Sequence, residues 1–427
     1  MNPPSMDFVT QIDADQFPTL FERFEQLLNP STWRRRVFEV ESEINENRFL
    51  SDYLRQENRL AYALQDLSMQ RQRFGQLRKF VIDSDGHYQA TGFVAQFLSV
   101  HDSLPGAAAR RYLVLRARVA IRTNPADLRG LQFEWLIATH LFRRKFEVEF
   151  PTPEQGTFDL LITQQDLVAE VECKSVSEIG QRIHQREARE IFGIMQSSMR
   201  PLFRGLNQGL MLRVIVPQRF PSAFSERQRL CYRVRQSILS GKPHTVQDDL
   251  EVYVSHFNAR GTPLENNPDS NALQEFVLKT FGVDNKHLLV TNLSQPVILA
   301  LESREPDNVV EATMKTVKDA ASRQLTRKRA GIVCVKLERI SAAELEELGT
   351  ETGEPSSLRR AASAFLNRPE SAHVICLGFF SDGPVTRSAG GAVSQGGRSY
   401  FFERSESPFF NEIPSVAFGN IQDALPP

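Results

Sequence analysis

The sequence predicts an α/β fold with a mixed central sheet, and three observations predict it. Between residues 125 and 217 the order is amphipathic helix, three short strands, polar helix, strand. The last third alternates helical and strand-like stretches again. The strongest apolar runs, residues 295–301 and 374–380, are far shorter than the ~18–20 residues of a membrane span, so they read as buried strands and no membrane partner is expected.

Element by element, residues 1–105 read as a mainly helical N-terminal region. Phe17, Leu20, Phe21, Phe24, Leu27 and Leu28 recur at helical spacing. A short strand–turn unit is expected over 80–88, where Asp83, Ser84, Asp85 and Gly86 supply turn chemistry. No catalytic signature lies here, and the region is expected to offer a surface to a protein partner. Pro105 and Gly106 mark a boundary. A long helix follows from Ala107 and breaks near Asn124 and Pro125. The next helix, 127–145, carries Phe133, Leu136, Ile137 and Leu141 as its apolar stripe.

The period then changes. Residues 146–150 alternate like a strand, 151–156 form a turn, and 157–163 and 167–174 are two more strands. A polar helix over about 178–199 leads to a strand at 210–216, ended by Pro217. A helix at 225–239 and a strand at 250–257 complete a domain over 106–257. The remaining 258–427 form a C-terminal α/β region. In it, 273–281 and 309–329 are helical, and 287–293, 296–302, 331–337 and 373–380 are strands. Residues 350–357 read as a polar loop and 381–399, rich in Gly and Ser, as a mobile one.

Composition narrows the function classes. The 427 residues are 41% hydrophobic and 24% charged, which excludes a disordered chain, a collagen-like fibre and a disulfide scaffold. With 51 basic and 52 acidic residues the net charge is −1, so a polybasic role is excluded while a local basic face is not. Cys173, Cys231, Cys334 and Cys376 form no C-x-x-C pair, so a zinc knuckle is not expected. Their scatter suits free thiols in a reducing cytosol, and the N-terminus reads as no signal peptide, so a cytoplasmic location is expected. Nor is there a phosphate-binding G-x-x-x-x-G-K-[ST] or an H-E-x-x-H. Residues 106–145 hold nine Lys/Arg against two Asp/Glu, and 175–240 hold eleven Arg against four Glu. Positive charge thus concentrates in the middle of a nearly neutral chain, as a polyanionic partner requires.

The chemistry-bearing stretch is residues 156–175, GTFDLLITQQDLVAEVECKS. Asp159 sits in a strand-like run, and thirteen positions later come Glu172, Cys173 and Lys174. Residues two apart in a strand share a face, so Glu170, Glu172 and Lys174 point one way, beside the strand of Asp159. Two carboxylates and an ammonium then converge at one end of a hairpin. Such oxygen ligands suit a hard cation, Mg²⁺ or Mn²⁺, which lowers the pKa of a bound water and offsets phosphoryl charge. Glu170 is expected on the solvent rim, and the Cys173 side chain in the core. Glu134 shares a helical face with Leu131, Ala138 and Leu141, which turns it toward the sheet.

This arrangement resembles the PD-(D/E)xK, or restriction-endonuclease-like, nuclease superfamily, with a flavour closest to Mrr-like proteins and Holliday-junction resolvases. The resemblance covers residues 125–217, about a fifth of the chain. Asp159 matches the acid of the second strand, Glu172, Cys173 and Lys174 match (D/E)-x-K on the third, and Glu134 is similar to the Glu many members carry on the first helix. The proline before the acid is absent; Phe158 stands there. The resemblance implies a PD-(D/E)xK core and Mg²⁺-dependent hydrolysis of DNA. Asp159, Glu172 and Glu134 would be metal ligands and catalytic residues, and Lys174 would position the attacking water. It also implies a restriction, repair or phage-defence setting. Gln181, Arg182, His184 and Gln185, on the next helix, are auxiliary DNA-binding candidates. Cutting two strands often takes two sites, so a homodimer is one expectation. Two other readings are a catalytically idle nucleic-acid-binding module and a protein-interaction scaffold.

Residues 296–304 resemble 167–174 in pattern, with Glu302 and Arg304 where Glu172 and Lys174 fall and Asn292 for the missing first acid. The last third therefore reads either as a degenerate, non-catalytic copy of the core or as convergent α/β patterning; a different strand order over 271–338 would exclude the copy.

Overall fold

Helix α1 (Phe17–Leu28) starts with Pro18 in its first turn and stops at Asn29, whose left-handed backbone (φ 62°) donates its N–H to Glu25 O at 2.9 Å. Its buried face is Phe17, Phe21, Phe24 and Leu28. Helices α2 (Ser31–Glu46), α3 (Ser51–Glu57), α4 (Arg59–Phe74) and α5 (Asp85–Ser103) follow, then α6 (Ala107–Thr123) and α7 (Pro125–Arg143), separated at the expected Asn124–Pro125 break. The computed structural model describes residues 16–423 except 47–50, 76, 78–84, 124, 152–155, 177–180, 222, 267–269, 284–287, 293–294, 305–308, 339, 341, 351–356, 382–384, 388–392, 396 and 420–421. The strand–turn unit expected over 80–88 is corrected where it is described: Asp85–Tyr88 open helix α5, and residues 80–84 lie outside the described residues.

The hairpin of interest comes next: β1 (Glu147–Glu149), β2 (Leu160–Gln164) and β3 (Leu167–Val176), paired antiparallel in that order. After β3 the chain builds α8 (Gln181–Ser198), α9 (Arg200–Arg204), β4 (Gly209–Val216), α10 (Phe224–Leu239), β5 (His244–Gln247), β6 (Leu250–Phe257), α11 (Ser270–Phe281), β7 (Leu288–Asn292) and β8 (Pro296–Ser303). It then returns through α12 (Val309–Arg323) to β9 (Ala330–Leu337), α13 (Ala342–Thr350), α14 (Ser357–Leu366) and β10 (Val374–Ser381). Short strands β11 (Val385–Arg387) and β12 (Val393–Gln395), then β13 (Ser399–Glu403), α15 (Ile413–Phe418) and β14 (Gln422–Asp423) end the described chain. The fold is mixed α/β with two mixed sheets.

Two units interleave in sequence. One comprises Met1–Glu41, Glu57–Ser177 and Val309–Pro427; the other comprises Ser42–Gln56 and Glu178–Asn308. The first holds the sheet β1-β2-β3-β9-β10-β13-β14 and the two-stranded β11-β12; the second holds β5-β6-β4-β8-β7. The boundaries expected at 105/106 and 257/258 therefore fall elsewhere. Helices α1, α2, α4, α5 and α6 contribute to one hydrophobic core with α7 and the first sheet, running from Phe17 and Trp33 through Phe133 and Trp135 to Val171, Ile332 and Phe401. The Trp135 ring lies tilted at 5.2 Å from Phe93 and 5.5 Å from Phe97, which in turn meets Phe24 edge-on at 5.4 Å. An aromatic load of this size is buried only by closing the helices on α7.

The strand after the hairpin is also corrected. Residues 210–216 form β4 as a strand, but β4 pairs with β6 and β8 in the second sheet. The parallel partner of β3 is β9, in register from Ala169↔Ala330 to Val176↔Leu337, and α12 packs on both. The β-α-β crossover beside β3 is thus completed by α12 and β9 after an insertion, not by α8 and β4. Local periodicity gives β4 and β9 the same apolar signature, so only long-range pairing distinguishes them. The copy considered over 271–338 keeps the same pairing pattern: β7 and β8 pair antiparallel, β8 runs parallel to β4 as β3 does to β9, and the helix and strand after β8 join the other sheet, as α8 and β4 do after β3. Glu302 accepts from Arg213 Nε and Nη2 at 2.7 and 2.8 Å, Arg304 pairs with Glu251, and Asn292 lies on β7 opposite Pro296. Within 381–399, expected as a loop, β11 and β12 pair from Val385↔Gln395 to Arg387↔Val393.

Candidate functional site

The site is built where β3 outruns β2. Pairing of the hairpin ends at Leu160↔Val171; one step further, Asp159 falls opposite Glu172. Asp159 stands just before β2, one residue outside the strand, because its side chain turns back to accept the Cys173 N–H at Oδ2, 2.8 Å away, while its own N–H donates to Val171 O at 3.2 Å. The carboxylate thus takes the ladder position that β2 vacates, an alternative to strand pairing that Asp adopts readily. Thr157 Oγ1 donates to the α12 end at Arg323 O (3.3 Å) and Gln324 O (3.2 Å), which holds this entry in place.

Opposed positions of an antiparallel pair hold their Cβ atoms about 4.5–5.5 Å apart, and like charges there repel. Glu172 is fully buried, and its carboxyl is pushed up to about 8, by burial first and by the Asp159 charge second, with Lys174 pulling the other way. Burial, partly offset by the Cys173 N–H and Lys174, also raises Asp159. Lys174 Nζ lies 2.5 Å from Glu172 Oε1 but out of line for a hydrogen bond, so neither buried Glu172 oxygen has an aligned donor among the described residues. The Lys174 side chain is 28% exposed and opens the cluster to solvent.

Glu134 reaches the same cluster from α7. It is 3% exposed, and burial with the Asp159 charge pushes its carboxyl up to about 7 against the pull of Arg116 and Lys174. Arg116 on α6 grips both Glu134 oxygens, at 2.9 and 2.8 Å, and its charge also reaches Asp159. Asp159, Glu172, Lys174 and Glu134 therefore form one electrostatic group, as expected. Arg116 is the member that sequence reasoning missed. The available signal is that α6 carries five Arg and no acid, so its inward arginine must find an acid on another element.

Other expectations fall differently. Glu170 is not on the rim; it is fully buried, accepts the Thr326 N–H at 2.8 Å and the Thr326 hydroxyl, and lies 3.5 Å from Arg329. The loop entering β9 caps it, and the sequence assigns that loop no place beside β3. The Cys173 side chain is core, and Cys173, Cys231, Cys334 and Cys376 are all free and buried. Gln181, Arg182, His184 and Gln185 lie on the first turns of α8, in the second unit; their side chains lie outside the described residues. On the opposite face at the end of β3, Ser175 Oγ donates to the buried Glu338 at 2.7 Å, and Lys336 lies 3.7 Å from Glu338.

Among the described residues no three His, Cys, Asp or Glu side chains come together as a ready-made metal cluster. Asp159 and Glu172 nevertheless fit a divalent cation in chemistry: two facing hard-oxygen groups, both raised first by burial, one with both oxygens buried and undonated. Glu134 comes already neutralised by Arg116. Among the described residues no helix is long and apolar enough to cross a membrane. No family model matches this chain, and no curated protein or solved structure is significantly similar to it.

Proposed function

We propose that this protein is a metal-dependent deoxyribonuclease of the PD-(D/E)xK kind, hydrolysing DNA phosphodiester bonds. The observation that carries the reading is Asp159 opposite Glu172 with Lys174 two residues on, at the open end of one hairpin. Asp159 and Glu172 would hold Mg²⁺ or Mn²⁺. When bound, the cation supplies charge to offset that on the phosphoryl oxygens and lowers the pKa of a water. Lys174, partly open to solvent beside Glu172, orients the attacking water. Glu134 sets the position of Arg116, whose fixed fork of donors suits a phosphate. The restriction, repair or phage-defence setting rests on the resemblance alone.

The test is cleavage of supercoiled and linear plasmid with Mg²⁺ or Mn²⁺. Cutting is expected in the wild type and is lost in excess chelator. Lys174→Ala is expected to lower it by about 10²-fold or more, the low end for removing a group that assists proton transfer. Equal cutting by both proteins would sink the reading.

One observation favours a second reading. Both Glu134 oxygens are taken by Arg116, and a ready metal cluster is absent among the described residues. A nuclease-fold module that binds nucleic acid without cutting it would leave the carboxylates so. It predicts salt-sensitive binding, no cleavage, and indifference to Lys174→Ala.

A further inference from the structure

Helix α6 presents a face that the fold does not use. Leu113, Ala117, Ala120 and Ile121 are buried against the rest of the unit. On the other side Tyr112 is 63% exposed, Leu115 57% and Val119 50%. At 100° per residue these three form one strip along the helix axis. Arginines border it on both sides. Arg111, Arg118 and Arg122 project along one flank, and Arg116, which holds Glu134 of the candidate site, lies on the other. Arg118 is anchored by donating to Leu27 O (2.6 Å) and Leu28 O (3.1 Å), while Arg111 and Arg122 are exposed and pair with no acid among the described residues.

An exposed aromatic between arginines asks for a ligand with apolar faces and regular negative charge. A second copy of the chain does not fit: pairing two α6 faces would bring the bordering arginines of both copies together, with no acid on either helix to offset them. A nucleic-acid strand has both features, with bases to stack on a ring and phosphates for guanidinium groups. Resting on the nuclease reading of the site, we infer that the α6 face is the docking track of an unpaired nucleic-acid strand. Tyr112 is the stacking platform, Arg111 and Arg122 bind phosphates, and Arg116 is the point where the strand passes to Asp159, Glu172 and Lys174.

The test is fluorescence anisotropy of a labelled single-stranded oligonucleotide with the full chain, in chelator so that nothing is cut. All three substituted side chains are exposed, and circular dichroism checks that the fold is kept. Tyr112→Ala is expected to weaken binding about 5- to 100-fold, whereas Tyr112→Phe keeps it. Arg111→Gln with Arg122→Gln is expected to flatten the dependence of log affinity on log salt by about 0.7 for each phosphate no longer neutralised, a slope Tyr112→Ala leaves unchanged. If the wild type binds and these variants bind equally well, the track is wrong while the nuclease reading stands. If the wild type does not bind this single strand, the track falls, and plasmid cleavage alone decides the nuclease reading. If Tyr112→Ala instead breaks a dimer seen by sedimentation and leaves binding unchanged, the face belongs to a second copy and the proposal is overturned. Lys174→Ala separates the two ideas from the other side: cleavage undiminished in that variant sinks the nuclease assignment and leaves the binding result intact.

Discussion

Asp159 and Glu172 face each other across the end of a hairpin, and the consequence is a sign in the pH dependence of stability. In the unfolded chain Glu172 ionises near its ordinary 4.5; in the fold it keeps its proton up to about 8, and Glu134 up to about 7. Between those values the folded state binds more protons than the unfolded one. The stabilising contribution is therefore complete below about 4.5 and is lost as pH rises through 7–8. A tenfold difference in proton affinity between the two states is worth about 1.4 kcal/mol. Thermal melts in chelator are expected to fall from pH 5 to pH 8, with added Mg²⁺ raising the melting temperature more at pH 8 than at pH 5. Glu172→Gln is expected to flatten the chelated profile and remove the Mg²⁺ effect. A flat wild-type profile in chelator would show that burial does not hold Glu172 and Glu134 protonated in the fold. At this scale the sequence was highly legible. Residue spacing along one strand is local, so Glu172 and Lys174 could be set on one face from periodicity. Arg116 could not, because which of five arginines turns inward depends on the packing of α6 on α7.

Strand β3 carries two acids on one face that do different work. Glu172 stands beyond the end of β2, where its neighbours are Asp159 and Lys174. Glu170 stands two residues earlier, under the loop between α12 and β9. Removing a buried acceptor leaves its donor unpaired, at a cost of about 1–3 kcal/mol. Glu170→Ala is thus expected to lower the stability measured by urea unfolding by that amount, through the orphaned Thr326 N–H, while Mg²⁺-dependent stabilisation persists. A variant as stable as the wild type that lost the Mg²⁺ response would move Glu170 into the site. The distinction was invisible in the sequence: the two glutamates have the same alternation and similar neighbours, and Thr326 is 156 positions away.

In the first unit, β3, β9 and β10 form the centre of the seven-stranded sheet, and every residue of β10 is buried. Parallel strands covered on both faces are the last to open. Hydrogen exchange is expected to leave β3, β9 and β10 protected longest, and early exchange of β9 would contradict its place beside β3. Forming that pair means joining ends that residues 177–329 separate, which favours slow folding. By itself the sequence determined the α/β class, most strand and helix positions, the Asn124–Pro125 break and the grouping of Asp159 with Glu172 and Lys174, because each rests on periodicity or spacing within a few residues. Only the tertiary structure decided that β9 rather than β4 lies beside β3, that α1, α2, α4, α5 and α6 share the core of the first sheet, that Glu170 is sealed and that Arg116 holds Glu134. Those are contacts between elements far apart in sequence, and apolar strands of equal length and composition are interchangeable until packing selects among them.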